Sequence, residues 1–416
     1  VTDAAEASLL EAVAQSMPRG ASVGVAVSGG GDSMALLDLV SRSAGSRGWG
    51  VRAATVDHGL RPEAADEARM VAQHCADLGI PHETLVWRDP PSEGNLQDRA
   101  RRARRRLLTA WARREGIGHV ALGHTEDDLA ETFLMRLSRE AGLDGLSAMR
   151  ADWQEEDVCW HRPLLAASRE ALRDYLRVRA LHWVEDPSND DPAFARVRAR
   201  SILGHLQPLG LTGATLASVA RNLGDARAAL ARHAAEAAER IARVEGGDVV
   251  FGADALRALP AETRRRLLIA ALRWVSGAEY PPREAALDAL WAAVGDHRDH
   301  TLSGCLVLAG GDVVRVTREA AASRGVEGPT DACWDGRWRL DGPHAPDLRI
   351  AALGEEGLRH CPDWRESGVP RASLRASPAV WRGADLVAAP LAGLSAGWSA
   401  QLAGGRDHFA SYLLSH

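Results

Sequence analysis

The window Val23-Gly24-Val25-Ala26-Val27-Ser28-Gly29-Gly30-Gly31-Asp32-Ser33-Met34-Ala35-Leu36-Leu37 constrains the fold more than any other. An apolar, β-branched run passes through three consecutive glycines into a stretch with helical spacing, so a buried strand hands over to a helix across a tight turn. Glycines bring bare N–H groups close to an anion at the helix N-terminus, where the helix dipole also favours negative charge. Polyphosphate is the natural ligand. A merely flexible turn would not require Ser28, Asp32 and Ser33, which offer hydroxyls to phosphate oxygens and a carboxylate to Mg²⁺. Ser28, Gly29, Gly30, Gly31, Asp32 and Ser33 are therefore candidate ATP-binding residues, with Asp32 the candidate metal ligand. A Walker A loop is excluded because no lysine closes a GxxxxGK segment, and a dinucleotide fold is disfavoured because no GxGxxG occurs here.

Around this loop the first half of the chain alternates apolar runs with amphipathic stretches. Residues 22–27, 51–56, 82–87 and 119–123 read as buried strands, and 33–43, 62–78 and 95–115 as helices. That pattern predicts an α/β fold: a doubly wound parallel sheet with helices on both faces, which binds ligands at the C-terminal ends of its strands. The turn formers Asp186-Pro187-Ser188-Asn189-Asp190-Asp191-Pro192 mark a boundary. We expect a phosphate-binding α/β domain over 1–190, a mainly helical domain over 191–327 with helices at 221–244, 261–275 and 283–294, and a small mixed or β domain over 328–416. Gly, Pro and Trp dominate that last part, and its Trp334, Trp338, Trp364, Trp381 and Trp398 suit a core better than a base-stacking platform.

Three further segments carry chemistry. Val56-Asp57-His58-Gly59-Leu60-Arg61 ends the second strand, which makes His58 a candidate ATP contact. Gly94 to Arg106 leads into and opens the helix expected over 95–115, with Ala100, Ala103 and Leu107 on one face and arginine over the rest. Such like-charge crowding favours an anionic partner. In Ala121-Leu122-Gly123-His124-Thr125-Glu126-Asp127-Asp128-Leu129-Ala130-Glu131-Thr132, steps of four and seven put His124, Asp128 and Glu131 on one stripe. Acids in a first helical turn can serve the dipole alone, yet three polar groups converging on one stripe suit a cation: Mg²⁺, a substrate ammonium, or both.

The glycine window resembles the SGGxDS loop of the PP-loop ATP pyrophosphatases, which implies attack on the ATP α-phosphate and release of pyrophosphate. The remaining segments resemble, in order, those of tRNA(Ile)-lysidine synthetases: His58-Gly59-Leu60-Arg61; Ala100, Arg101 and Arg104 of an ARxxRY element, with Arg105 in place of tyrosine; and His124 to Thr132 as HxxDDxxET, preceded by glycine at 123 where alanine is common. Arg139 to Met149, with Glu140 at a glycine position, Arg162-Pro163-Leu164-Leu165, and Trp183 to Asn189 followed by Arg196, Arg198 and Arg200 complete the series. The resemblance implies ligation of free L-lysine to the 2-position of the wobble cytidine of a tRNA(Ile) with a CAU anticodon, through an adenylated cytidine. It makes Asp32, His124, Asp128 and Glu131 the candidate catalytic residues, and Arg104, Asp128 and Glu131 the candidate lysine-binding ones. Arg101, Arg105, Arg139, Arg196, Arg198 and Arg200 become the candidate tRNA contacts, with ATP and Mg²⁺ required.

Composition sets the remaining bounds. A net charge of -6 restricts any nucleic-acid contact to a local basic patch, and all 50 residues counted as lysine or arginine are arginine. No stretch has the apolar length of a membrane span, and the acidic start Val1-Thr2-Asp3 lacks the order of a signal peptide, so a cytoplasmic location is expected. Cys75, Cys159, Cys305, Cys333 and Cys361 are scattered, which disfavours a zinc site or a disulfide framework. It also disfavours the first rival reading, a tRNA 2-thiolation enzyme. The second rival, a non-catalytic ATP-binding sensor, leaves the acidic stripe without a purpose. Partners are then tRNA and lysine, with no membrane, and a homodimer remains compatible.

Overall fold

The computed structural model of the chain describes residues 3–59, 64–88, 96–147, 149–155, 157–185, 191, 193–404 and 408–415. Leu60, Arg61, Pro62, Gly94, Asn95, Ala148, residues 186–190 and Pro192, which the motifs above include, lie outside the described residues. The chain forms two compact units, Val1–Arg227 and Ala228–His416. Residue 190, where the sequence placed its first boundary, falls inside the first of them.

The first unit runs α1 (Asp3–Ser16), β1 (Ser22–Ala26), α2 (Gly31–Arg47), β2 (Gly50–Asp57), α3 (Ala64–Asp77), β3 (His82–Val86), α4 (Leu96–Arg114), β4 (His119–Leu122), α5 (Glu126–Leu137), α6 (Leu143–Leu146), β5 (Asp152–Glu155), β6 (Val158–His161), α7 (Arg169–Val178), α8 (Ala195–Leu206) and the start of α9 (Gly213–Ile241). Its sheet has the order β3-β2-β1-β4-β6-β5, parallel except for β5, which runs antiparallel to β6. The β-branched run of β1 is covered on both faces, as a central parallel strand demands. Val23 and Val25 pack with Leu36, Leu37 and Val40 of α2 and with Leu172, Tyr175 and Leu176 of α7, while Ala26 faces Leu108 and Trp111 of α4. Each fully buried aliphatic side chain there contributes roughly 1.5–3 kcal/mol. After β3 the chain crosses to the other side of β1, so the strand order reverses between β1 and β4. The crevice at a doubly wound sheet's ligand-binding end opens at that reversal.

In the second unit the sequence underestimated β structure. The helix expected over 221–244 is α9, which stops at Ile241, and Ala242–Glu245 is instead a strand, β7. The turn at Gly246-Gly247, both with positive φ, folds β7 onto β8 (Asp248–Gly252), and that pairing overrides the helical propensity of the preceding alanines and arginines. Helices α10 (Ala253–Arg257), α11 (Ala261–Ser276) and α12 (Glu284–Gly295) follow, then β9 (His300–Leu302), β10 (Cys305–Leu308) and β11 (Val313–Arg318). They complete an antiparallel sheet of order β7-β8-β11-β10-β9 whose core holds Phe251, Leu267 and Trp274. Short strands expected after residue 328 are present: β12 (Gly328–Pro329), β13 (Trp338–Asp341), β14 (Leu348–Ala352), β15 (Pro378–Arg382), β16 (Asp385–Ala388) and β17 (Ser399–Leu402) form a sheet β12-β14-β15-β16 and a pair β13-β17. Trp334, Trp338, Trp381 and Trp398 are buried and serve as core. No described helix is long and apolar enough to cross a membrane.

Candidate active site

The loop after β1 turns because Gly29 takes φ 88°, open to glycine at no cost. Ser33 then braces it: its hydroxyl donates to the Gly30 carbonyl (2.9 Å), accepts the Ser28 amide (3.1 Å) and lies 3.2 Å from the Ser28 hydroxyl. Val184 donates its amide to Gly29 O at 2.9 Å and holds the loop from outside. At the start of α2 the Ser33 and Met34 amides already bond Gly30 O, at 3.1 and 3.0 Å, and the helix begins just past the C-terminal end of β1. Across the strand reversal, a Cβ built on Gly123 would stand 3.0 Å from Asp32 O and from Ser33 N and Cα. Alanine there asks the loop to give by a few tenths of an ångström; a larger side chain asks for more. Gly123→Val should lower stability by about 1–3 kcal/mol and weaken ATP binding, read as a lower thermal midpoint and a smaller upward shift on adding ATP. An unchanged ATP shift would show that the two loops do not depend on each other.

Helices α5 and α7 start in a shared knot. Asp128 Oδ2 accepts both the amide (2.9 Å) and the hydroxyl (3.1 Å) of Thr125, the N-cap of α5. Ser168 caps α7 by accepting the Ala171 amide (3.2 Å), while Asp127 Oδ2 accepts the amide of Arg169 at 2.6 Å and Glu126 donates its amide to Ala167 O at 2.9 Å. Further along α7, Tyr175 donates its hydroxyl to Asp38 of α2, and Arg179 Nε reaches the same carboxylate at 3.3 Å. The helix carrying Arg169 is thus registered against the helix that carries the phosphate loop.

Arg169 is the hub. Its guanidinium lies 3.3 Å from Asp32 Oδ2, 3.2 Å from Glu131 Oε1 and 3.6 Å from Asp128 Oδ1. From α8, Arg200 reaches Glu131 Oε1 at 3.0 Å and Arg196 reaches Asp128 Oδ1 at 3.8 Å. Glu131 is only 1% exposed, and its second oxygen, Oε2, is buried with no hydrogen-bond partner among the described residues. Burial pushes the Asp32 carboxyl above its usual value, against the pull of Arg169 and with the help of Asp128. Burial works the same way on Asp128, while the Thr125 amide, Arg196 and Arg169 pull it down, and the net direction is below the usual range. Burial alone would weaken the Arg169 cation; Glu131, Asp32, Asp128 and Asp127 reverse that and raise its pKa.

The sequence-derived candidates separate into groups. Asp32, Asp128 and Glu131 do converge, and His124 borders them with its Nδ1 bonded to Arg162 Nε at 3.1 Å. His58 stands edge-on to Trp87 (5.7 Å), its Nδ1 buried with no hydrogen-bond partner among the described residues, and burial followed by the charge of Arg104 lowers its pKa. Arg104 has no hydrogen bond or ion pair with a described residue; burial, Arg196 and Arg101 lower its pKa. An unpaired guanidinium among like charges is an anion site in waiting. Arg101 and Arg139 are exposed, and Arg198 donates to Ala193 O at 2.8 Å. Arg105 pairs with Glu155 and packs 5.0 and 5.5 Å from the ring centres of Trp153 and Trp160. Arg196 and Arg200, expected at RNA, lie against Asp128 and Glu131. Sequence reasoning missed Arg169 and gave Arg162 no role. A local signal existed for Arg169, because a cation in the first turn of a helix opposes the dipole and needs an outside partner.

A glycine loop and an acid-bearing helix facing each other at the reversal of a parallel sheet define a nucleotide-binding domain of the PP-loop class, and the family model for the PP-loop domain matches residues 2–206. Over 95% of the chain and 94% of the relative's length, the sequence is 50% identical to a tRNA(Ile)-lysidine synthase of Ruegeria pomeroyi, and it is 40% identical over 70% and 88%, respectively, to one of a Bradyrhizobium species. The chain belongs to the tRNA(Ile)-lysidine synthase family. Among solved structures, a tRNA thiolase from Methanococcus maripaludis aligns with a TM-score of 0.47 at 17% identity, covering 53% of this chain and 78% of its own.

Proposed function

We propose that the chain is an ATP-dependent ligase that joins free lysine to the 2-position of the wobble cytidine of tRNA(Ile) with a CAU anticodon. The observation that carries this reading is Glu131 Oε2: a buried carboxylate oxygen without a partner, in a cluster centred within one guanidinium's reach of the phosphate loop. An ammonium group satisfies such an oxygen; a nucleotide alone does not.

The reaction divides in two. The cytosine 2-oxygen attacks the α-phosphorus of ATP, the bond to the β-phosphate oxygen breaks, and pyrophosphate leaves against the first-turn amides of α2. The ε-amine of lysine then forms the carbon–nitrogen bond at the activated ring carbon, and AMP departs with the oxygen. Before that attack the ammonium must lose a proton. Thr125 already occupies Asp128 Oδ2 and two guanidinium groups approach its Oδ1, so Glu131 Oε2, with Asp128 Oδ1 beside it, is the atom open to anchor the amine and take its proton. Asp32 fits Mg²⁺: Arg169 engages its Oδ2, its Oδ1 bonds no described residue, and one carboxylate plus substrate phosphates is an ordinary Mg²⁺ environment. Bound there, Mg²⁺ would neutralise charge on the departing pyrophosphate. His58, directly after β2, is assigned to the adenine, and the exposed Arg101, Arg139 and Arg198 to RNA phosphates. Residues 191–327 and 328–416 would supply the rest of tRNA recognition.

Arg104 is assigned to the lysine carboxylate. Arg104→Gln should raise the KM for lysine by about 10- to 100-fold, the loss of one charge-assisted hydrogen bond, while pyrophosphate release dependent on tRNA alone stays near wild type. Equal losses in both would move Arg104 to the nucleotide or the RNA. The function itself is tested by mass spectrometry of nucleosides from tRNA incubated with the chain, ATP and isotopically labelled lysine. Transfer of the label to cytidine is expected. Pyrophosphate release without label transfer would point to another PP-loop tRNA modification, and no release under any condition to a sensor.

A further inference from the structure

Arg162 follows directly on β6 and is 9% exposed, yet no carboxylate pairs with it among the described residues. Three contacts hold it instead. Its Nη1 donates to Arg150 O at 2.6 Å, its guanidinium carbon sits 4.1 Å from the ring centre of Trp153, and its Nε donates to His124 Nδ1 at 3.1 Å. Trp153 is fixed in turn: β5 and β6 pair it opposite Trp160, and the two rings stack at 5.8 Å and 7°. A guanidinium so clamped has little freedom to leave.

The direction of the Arg162–His124 bond decides the state of the ring. Guanidinium nitrogen carries no lone pair and can only donate, so Nδ1 must accept and therefore carries no proton. The single proton of a neutral imidazole is then on Nε2, and an imidazolium, with N–H at both positions, would face Arg162 donor to donor. Among the described residues Nε2 has no hydrogen-bond partner, so that N–H is free for a ligand. His124 directly follows Gly123, whose α-carbon is seated against the Asp32-Ser33 backbone, so the ring starts beside the phosphate loop.

Resting on the ligation reading above, we propose that Arg162 is a positioning residue: clamped on Trp153, it fixes His124 as a neutral ring whose Nε2–H donates to a phosphoryl oxygen, which leaves proton removal from lysine to the carboxylates. The groups facing His124 are Arg162 from the end of β6, Asp128 from α5, Arg104 from α4 and Arg196 from α8. Burial and the three cations disfavour the charged ring and outweigh Asp128, in agreement with the geometry. Part of what a histidine in this place could do is thereby excluded. A ring whose only lone pair is committed to Arg162 cannot accept a proton without breaking that bond, whereas a fixed neutral donor aimed at developing negative charge needs no rearrangement during the reaction.

The test reads His124 directly in the full chain. Long-range ¹H–¹⁵N spectra of histidine-labelled protein, with His124 assigned by its loss in His124→Gln, should show a protonated Nε2, a bare Nδ1 and no titration between about pH 5.5 and 8. Arg162→Met should move the ring's titration upward, though burial, Arg104 and Arg196 still hold it below that of a free imidazole, and should bring the acid limb of the pH profile of pyrophosphate release to higher pH. His124→Gln keeps an N–H donor and should stay within about tenfold of wild type, while His124→Leu should fall by on the order of 100-fold. A wild-type His124 that titrates, or that carries its proton on Nδ1, overturns the proposal even if Arg162→Met does not fold. Equal losses in His124→Gln and His124→Leu overturn the donor role. A fixed Nε2–H tautomer in a chain that releases no pyrophosphate supports the hold of Arg162 on His124 and overturns the ligation reading instead.

Discussion

Arg169→Met is expected to lower the unfolding free energy by roughly 3–5 kcal/mol and to abolish pyrophosphate release. The magnitude follows from what the substitution leaves behind. Asp32, Asp128 and Glu131 all lie within 3.6 Å of this one guanidinium, and two of them, Asp128 and Glu131, are buried. Methionine fills most of the volume but answers none of the charge, so carboxylates would be stranded in a poorly solvated crevice. The pH dependence has a definite sign. Burial already raises the Asp32 pKa, and without Arg169 it rises further. A carboxyl whose folded pKa exceeds its unfolded one costs stability when ionised, so the variant's deficit should shrink as pH falls into the carboxylate range. Urea unfolding at neutral and mildly acidic pH measures both quantities. A wild-type midpoint at neutral pH would mean that the acids are compensated elsewhere, and the hub assignment would fail.

Asp32→Asn should behave in the opposite way, leaving the fold intact and stopping the chemistry. Its side chain is 20% exposed and its charged form is already disfavoured by burial, so an isosteric amide should shift the thermal midpoint by no more than a few degrees, about 1 kcal/mol. The rate of tRNA-dependent pyrophosphate release should drop by about 100- to 1,000-fold, because the carboxylate placed to hold Mg²⁺ beside the departing pyrophosphate is gone. Exchange of ATP with labelled pyrophosphate at saturating tRNA, repeated across Mg²⁺ concentrations, reads this directly. Retention of the wild-type rate and Mg²⁺ dependence would remove Asp32 from the reacting centre. The two variants together separate the stabilising charge from the one used in catalysis.

Much of the first unit was legible because its signals are local. The strand expected over 22–27 is Ser22–Ala26, and that over 119–123 is His119–Leu122, since short apolar runs leading into glycine admit few other readings. Asp32, Asp128 and Glu131 were found for the same reason: each sits in a short pattern with its own internal logic. Arg169 lies 137 residues from Asp32, and only the sheet's reversal brings them together. No spacing rule spans such a separation. For Arg196 and Arg200 the residue type was informative and the partner was not, because an arginine is equally at home against a phosphate and a carboxylate. In the second unit, β7 was concealed by the helix-forming composition of the residues before it, and tertiary pairing with β8 decided its state.

One consequence of the arginines around the acids concerns self-modification. An enzyme that activates a base for attack by a primary amine is exposed to any amine of its own that reaches the same carbon. Arg169, Arg196 and Arg200 balance Asp128 and Glu131 with guanidinium groups, which keep their protons far above neutral pH and so are poor nucleophiles. A lysine in any of those places would supply similar charge together with a latent competitor for the activated cytidine. Counter-ions of this kind let the pocket hold its balance of charge while reserving reactivity for the free amino acid.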